Sequence, residues 1–395
     1  MLKEILSNIV KSQSKDIISK ETGIKREKLK EIDLKLNYAI IISGIRRCGK
    51  STLLRQVIDN VKIPSYFNFE DPRATNFKLS DFEKLEEIFQ DGEVYFFDEI
   101  QNVAEWEKYV RNLVDRKKLV IITGSNASLL SRELGTKLTG RHITYELFPF
   151  SYNETLKLKS KKPNLESLKT YLKEGGFPEY LKNKKTEMLQ ELLNDILARD
   201  IIVRNKIKDD KVIKELVIYL LSNIGKEFSY NKITKYLNMG SINTTISYIS
   251  YLEDSYILFT IPVIDYSYKK QLISPKKVYC VDLGLLNATT NLINENKGMQ
   301  LENAIFIHLR MKYKEIYYHK KEKECDFIVK EKNTPYLAIQ VCYKLNEENK
   351  DREISGLKEA MDYLKIKKGI IITLNQKDKI DDIEVIPAWE WLSNY

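Results

Sequence analysis

Gly44-Ile45-Arg46-Arg47-Cys48-Gly49-Lys50-Ser51 fits G-x-x-x-x-G-K-[ST] at every position. It follows the apolar run Tyr38 to Ser43 and opens a helical run from Lys50 to Asn60, the setting in which this pattern binds phosphate. Glycines let the loop wrap, successive backbone N–H groups and the helix N-terminus face the anion, and Lys50 brings a point charge to β and γ phosphates. Ser51, with Thr52 beside it, offers a hydroxyl to Mg²⁺. A chance glycine turn would stand alone, but a second motif follows about fifty residues on. Val94-Tyr95-Phe96-Phe97-Asp98-Glu99 is an apolar strand ending in two carboxylates. Asp98 is placed to hold the Mg²⁺ shell, and Glu99 to orient and deprotonate an attacking water. A third element, Ile121-Ile122-Thr123-Gly124-Ser125-Asn126, sits where the neighbouring strand should end. Ser125 or Asn126 there would position the water or sense the γ-phosphate; Asn126 also reads as a helix N-cap.

The elements that must carry these groups alternate. Short apolar strands are predicted at Tyr38–Ser43, Ile63–Phe69, Val94–Phe97, Leu119–Thr123 and His142–Leu147, with helical stretches between them. That pattern specifies a parallel sheet covered on both faces. Residues 1 to about 35 read as a charged amphipathic helical lead-in without chemistry. From Ser151 to about Glu215 helices take over, broken at Gly175-Gly176-Phe177-Pro178. Ile224 to Val281 reads as two helices followed by a β-branched hairpin, and from Gly298 strands and helices alternate again.

At 395 residues the chain has room for several cores, and with 43% hydrophobic and 31% charged residues it is ordinary globular material. Disordered, collagen-like and disulfide-scaffold classes are excluded. Lys+Arg exceed Asp+Glu by 9, which permits an acidic partner without demanding one. The excess is uneven: residues 157–187 hold nine Lys against four Glu. Four scattered cysteines and three histidines exclude a structural zinc site and suit a reducing cytoplasm. No apolar run has the length of a signal peptide or a membrane span, so a cytoplasmic protein without membrane partners is expected.

The motifs in their order resemble the AAA+ branch of P-loop ATPases. In particular the chain looks like the archaeal and bacterial family that joins such an ATPase to a C-terminal domain of uncharacterised function related to PD-(D/E)xK nucleases. The residues that carry it are Gly44 to Ser51, Phe69-Glu70-Asp71-Pro72-Arg73, Phe97-Asp98-Glu99-Ile100-Gln101, Thr123-Gly124-Ser125-Asn126, Leu138-Thr139-Gly140-Arg141 and Gly175-Gly176-Phe177-Pro178-Glu179. The resemblance implies ATP and Mg²⁺ as ligands, a sheet in AAA+ order and a helical lid. It also offers Arg141 as the arginine that stabilises charge on the transferring phosphoryl group, in cis or from a neighbouring copy in a homo-oligomer. Arg132 competes for that role, and a surface salt bridge is the plain alternative for either.

The fold class is therefore α/β: a P-loop NTPase (AAA+ type) parallel sheet with a helical lid, a winged-helix domain and a C-terminal α/β restriction-endonuclease-like domain. The expected boundaries are 1–35 for the lead-in, 36–150 for the ATPase core, 151–215 for the lid, 216–290 for the winged helix and 295–395 for the nuclease-like end. The second helix of the winged-helix stretch, Ser241 to Asp254, has no Lys or Arg, and only Asn243 suits base readout. Lys226, Lys232, Lys235, Lys269, Lys270, Lys276 and Lys277 would hold phosphates without reading sequence. Protein docking and non-specific DNA contact both remain open for this stretch.

In the C-terminal stretch a nuclease would need converging carboxylates for a metal and a lysine for the water. Glu302, Asp326 and Gln340 stand in the carboxylate positions, but Gln340 is neutral and the lysine position holds Cys342. Lys344, two residues on, is expected on the same strand face. Cys342 reads most simply as a small core residue. Three functions follow as expectations: an Mg²⁺-dependent ATPase acting on or docking to DNA, a slow regulatory nucleotide switch binding a protein partner, and an ATP-coupled nuclease, the last disfavoured by Gln340 and Cys342.

Overall fold

The computed structural model describes residues 1–19, 21–36, 38–90, 92–125, 140–290 and 297–394. Its chain divides into two units, Met1–Phe148 and Pro149–Tyr395.

The first unit is built on five parallel strands: β1 (Ala39–Ser43), β2 (Pro64–Asn68), β3 (Val94–Asp98), β4 (Leu119–Gly124) and β5 (His142–Glu146), in the order β2-β3-β4-β1-β5. Parallel strands need both faces covered, which is why the runs of β1, β3 and β4 are almost wholly apolar, while β5, at one end of the sheet, is half-buried throughout. One face packs against the helices α1 (Lys3–Ser19), α3 (Asp81–Phe89) and α4 (Trp106–Asp115) through Phe67, Phe69, Phe77, Phe82, Phe97, Trp106 and Tyr109. Phe82 and Tyr109 stack with ring centroids 4.1 Å apart. The helix α2 (Lys50–Ile58) follows β1 directly. Register pairs Ser43 with Gly124 and Phe97 with Ile122, so β1, β3 and β4 end along one edge. Ligands of open α/β sheets bind outside that carboxyl edge.

The lead-in is more than a bystander. Leu6, Ile9 and Val10 join the sheet's core, and Gln13 satisfies both backbone groups of Asn68 on the edge strand β2, donating to its carbonyl and accepting from its N–H.

The second unit begins with helices Tyr152–Lys159, Leu165–Glu174, Pro178–Asn183 and Glu187–Asp195, then a π-helical turn at Ile196–Val203 and the helix Asp210–Leu221. The Gly175-Gly176 break has a packing cause. A Cβ on Gly175 would lie 2.3 Å from Asp282 Oδ1, and Gly176 N–H donates to Asp282 Oδ2 at 2.6 Å. Helices Tyr230–Tyr236 and Ile242–Asp254 open on Ser229 and Ser241 as N-caps. A three-stranded antiparallel sheet accompanies them, β6 (Glu227–Phe228), β7 (Leu258–Pro262) and β8 (Lys276–Cys280), ordered β6-β8-β7.

The C-terminal part carries a six-stranded mixed sheet of β9 (Ile316–Lys320), β10 (Glu324–Glu331), β11 (Thr334–Cys342), β12 (Lys368–Thr373), β13 (Asp378–Ile380) and β14 (Ile383–Pro387), ordered β13-β14-β12-β11-β10-β9. Ile328, Ala338 and Ile371 pack under Leu357 and Ala360 of the helix Lys350–Leu364. Strand β11 ends at Cys342, so Lys344 is not on it: Lys344 lies exposed beyond the strand, a correction to its expected place on the Cys342 face. Among the described residues no helix is long and apolar enough to cross a membrane.

Candidate nucleotide site

Residues 44–49 turn tightly between β1 and α2. A Cβ on Gly44 would lie 2.1 Å from the Leu147 carbonyl oxygen, and Gly49 takes φ +102°, so glycine is required at both positions. The Lys50 ammonium, 5% exposed, folds back to donate to the carbonyls of Gly44 (3.1 Å) and Ile45 (3.2 Å) and stands 3.8 Å from Glu99 Oε1. The loop therefore keeps its cation on its own backbone.

Asp98 closes β3 and is buried. It accepts hydrogen bonds from Thr123 Oγ1, from Tyr66 Oη at 3.2 Å and from the Ser51 hydroxyl. Burial, reinforced by the charge of Glu99, pushes its carboxyl above the usual range despite these donors and Lys50. Glu99 follows in the left-handed region at φ +53°, a conformation costing about 1–2 kcal/mol for a side-chain-bearing residue. Strain of this kind persists where the surroundings over-determine it. Here Thr123 Oγ1 accepts the Glu99 N–H at 3.0 Å and Gln101 Nε2 donates to its carboxylate. The Ser125 hydroxyl at the end of β4 is buried and has no hydrogen-bond partner among the described residues.

Three of the sequence-derived groups thus converge: the loop Gly44–Thr52, the pair Asp98 and Glu99, and Ser125. Asn126 and Arg132, with Leu138 and Thr139, lie outside the described residues. Arg141 is not brought to the site. It precedes β5, whose first residue pairs with Ala39 at the start of β1, and its guanidinium pairs with Asp115. A five-residue strand separates it by roughly 16 Å from the loop edge. The in-cis placement is corrected accordingly.

Sequence reasoning missed Thr123 and Tyr66, which hold Asp98, and it missed Arg26. Buried in the lead-in, Arg26 donates from Nη1 to the Cys48 carbonyl and from Nη2 to the Phe148 carbonyl, both at 2.8 Å. Its N–H reaches Gln56 Oε1 on α2 at 3.0 Å, and Gln56 Nε2 donates to the carbonyls of Thr22 and Ile24. The loop is braced from below by a segment that looked chemically silent.

A second cluster lies in the C-terminal part. Lys277 of β8, 2% exposed, places its ammonium 2.7 Å from Glu324, 3.1 Å from Asp326 and 3.4 Å from Glu302. This corrects the expectation that Lys277 is a surface phosphate contact. Tyr279 Oη donates to Glu302 at 2.7 Å, and Val341 N–H to Asp326 at 2.9 Å. Burial pushes the Glu302 carboxyl up to about 7 even against Lys277. Gln340 donates to Glu353 at 2.6 Å. These residues do not fit a divalent cation, because an ammonium already bridges the carboxylates. Among the described residues no group of three or more His, Cys, Asp or Glu is arranged to hold a metal. Burial pushes the Cys342 thiol up to about 12, which removes it as a nucleophile.

Comparison with known proteins divides the chain into three matches: an AAA domain over residues 36–156, and domains of unknown function over 165–296 (DUF8612) and 297–391 (DUF4143). An uncharacterized protein of Methanocaldococcus jannaschii is 36% identical over 100% of this chain and 96% of its own length. An uncharacterized protein of Haemophilus influenzae is 33% identical over 96% of this chain and 99% of its own. Among solved structures, a Signal Transduction ATPase with Numerous Domains from Pyrococcus horikoshii gives a TM-score of 0.30 at 15% identity, over 74% of this chain and 46% of that one. AMPPCP-bound DnaA from Aquifex aeolicus gives 0.29 at 15% identity, over 57% and 86%.

Proposed function

Because this chain belongs to the same family as those Methanocaldococcus jannaschii and Haemophilus influenzae proteins and carries an AAA-type ATPase domain, we propose that it is an Mg²⁺-dependent ATPase coupling nucleotide turnover to a macromolecule. The observation that carries this reading is the convergence of Lys50, Ser51, Asp98 and Glu99 on one sheet edge. Lys50 exchanges the Gly44 and Ile45 carbonyls for the β and γ phosphates, and the loop N–H groups cradle them. Ser51 and Asp98 supply hard oxygens of the kind Mg²⁺ takes, and the ion when bound neutralises charge on the phosphates. Glu99, freed from Lys50 by the same exchange, accepts the proton of the attacking water. Ser125 or Asn126 orients that water or reads the γ-phosphate, and an arginine such as Arg141 would come from a neighbouring copy. The test is ATP hydrolysis by the full chain and by Lys50→Ala: turnover should vanish in the variant, and equal rates would refute the assignment.

In this reading residues 36–150 form the core, 151–215 the lid, 216–290 a winged helix and 295–395 an α/β domain of nuclease-like fold without nuclease chemistry. The helix pair 230–254 with its three-stranded sheet supports the winged helix. The surroundings of Lys277 speak against cleavage. DNA remains the proposed partner on charge. A specific observation favours the alternative, a slow switch that docks a protein: the helix Ile242–Asp254 exposes Ile242 and Ile246 and carries no base. ATPase rates with and without DNA separate the two. The free, buried cysteines agree with a cytoplasmic setting.

Arg26 is a positioning residue in this scheme. Arg26→Ala removes a charged donor from each of two carbonyls, at about 1.5–3 kcal/mol each. It is expected to weaken binding of a fluorescent ATP analogue about tenfold, a change of about 1.4 kcal/mol in binding free energy. Arg26→Lys, which restores one of the two bonds, should recover part of the affinity. Equal affinity in Arg26→Ala and parent would refute the brace.

A further inference from the structure

The connection between β7 and β8 exposes four large apolar side chains within eight residues: Tyr266 and Ile273 are each 73% exposed, Tyr268 71% and Leu272 57%. Single exposed apolar groups are ordinary, but a cluster of them marks a binding surface. The turn that presents them is fixed. Tyr266 Oη donates to the Tyr363 carbonyl at 3.0 Å with the two rings edge-on at 5.1 Å, Gln271 Nε2 donates to the Asp265 carbonyl, and Ser267 caps the short helix Tyr268–Ile273. The turn runs on from the edge of the C-terminal sheet, where Ile264 N–H donates to the Tyr318 carbonyl of β9 at 2.7 Å. A cleft of about 170 Å³ lies along the same edge, with Phe259, Arg310, Lys314, Glu315 and Tyr317 in its walls. Glu315 is the acid among the described residues of that lining. Arg310 stands 5.1 Å over the Phe259 ring, and Lys330 4.6 Å over the Tyr317 ring. A neutral ring fixes a cation without cancelling its charge. Burial first, then the Glu315 carboxylate and the Tyr268 phenol, push the Tyr317 hydroxyl above its usual range, so turn and cleft are neighbours. Lys269 and Lys270 add exposed charge between the two tyrosines and the aliphatic pair, with Asp265 3.9 Å from Lys270. Rings and cations therefore alternate over one continuous surface, as bases and phosphates alternate along a strand. The cleft falls below the roughly 300 Å³ at which small-ligand pockets begin, which suits a segment of a polymer.

We propose that this surface binds single-stranded DNA, with bases on Tyr266 and Tyr268, sugars against Leu272 and Ile273, and backbone phosphates at Lys269, Lys314 and Lys330. Tyrosine rings accept any base because every base has a π-face, and a duplex keeps those faces stacked away. The lysines neutralise phosphate without reading sequence. The helix Ile242–Asp254, which has no Lys or Arg, takes no part in the contact. The inference rests on the reading of DNA as the partner, not on hydrolysis, and adds the form of the DNA and its place on the chain.

The experiment follows the anisotropy of a labelled oligothymidylate on the full chain, with a labelled duplex of equal length beside it. The single strand is expected to bind more tightly, with a salt slope near −0.7 per phosphate neutralised. Tyr268→Ala should weaken it about tenfold, the effect of losing one stacking ring, and Tyr268→Trp should hold or raise the affinity. Lys314→Glu/Lys330→Glu should weaken it at least as much and flatten the salt slope. Lys161→Glu/Lys162→Glu, the same charge change elsewhere in the second unit, should stay close to the parent, and an equal loss there would overturn the proposal. If neither probe binds, the proposal and DNA as the partner fall together, in favour of an acidic protein segment. If DNA binds with an affinity that neither the tyrosine nor the lysine variants change, DNA stands as the partner and this surface is overturned. A duplex bound as tightly as the strand, or lysine variants that matter where Tyr268→Ala does not, also overturns it, in favour of plain phosphate contact.

Discussion

Glu99→Gln is expected to bind ATP as the parent does and to hydrolyse it about 10²- to 10⁴-fold more slowly, the usual contribution of a positioned general base. The variant keeps the size of the side chain and the strained backbone, so Thr123 Oγ1 still accepts the residue-99 N–H. What disappears is the capacity to take a proton. The negative charge 3.8 Å from Lys50 disappears with it, which leaves the ammonium freer to reach phosphate and should hold or tighten affinity. Phosphate release under single-turnover conditions, together with binding of a labelled nucleotide, reads the two effects separately. Undiminished turnover would remove Glu99 from the chemistry, and lost binding would make it a structural counter-ion of the loop.

Lys277→Met should destabilise the protein by about 3–5 kcal/mol at neutral pH, the range for removing one partner of a buried ion pair. Methionine fills the volume but leaves the buried Asp326 and the mostly buried Glu302 without a cation. The sign of the pH effect follows from the carboxylates. Glu302 already holds its proton up to about pH 7 with Lys277 present. Without that ammonium Glu302 protonates more readily, so lowering the pH from 7.5 to 5.5 neutralises its uncompensated charge. The deficit of the variant should therefore shrink as the pH falls. Chemical denaturation at the two pH values measures it. Mn²⁺ should rescue the variant in part and leave the parent unchanged, because only the variant has carboxylates without a cation. A loss below about 1 kcal/mol would mean that the cluster does not depend on its lysine.

The phosphate loop and the Asp98-Glu99 strand were legible because their chemistry needs contiguous residues between two elements of opposite periodicity. Four of the strands were legible as short apolar runs between glycines or charges, and β5, His142–Glu146, through its β-branched and aromatic residues Ile143, Thr144 and Tyr145. What the sequence hid was everything that depends on which elements become neighbours. Arg26 looks like one charge among many, since the carbonyls it serves are 22 and 122 residues away. Lys277 sits in a Lys-Lys pair that reads as solvated surface. Arg141 illustrates the converse, a role that the motif leaves open between its own site and that of a neighbouring copy. Its motif position invited a catalytic role, but parallel pairing of β5 with β1 puts it at the amino end of the sheet.

Trp106 is buried in the core cluster of the first sheet, whereas the other two tryptophans, Trp389 and Trp391, belong to the terminal helix Ala388–Asn394. The chain therefore carries a built-in pair of optical reporters, one for each unit. Trp106→Phe would leave an emission signal that follows the second unit alone, and a Trp389→Phe/Trp391→Phe chain would report only on the ATPase sheet. With those two backgrounds, the melting order of the two units, and the unit to which a nucleotide signal belongs, can be read from intact protein by its intrinsic light.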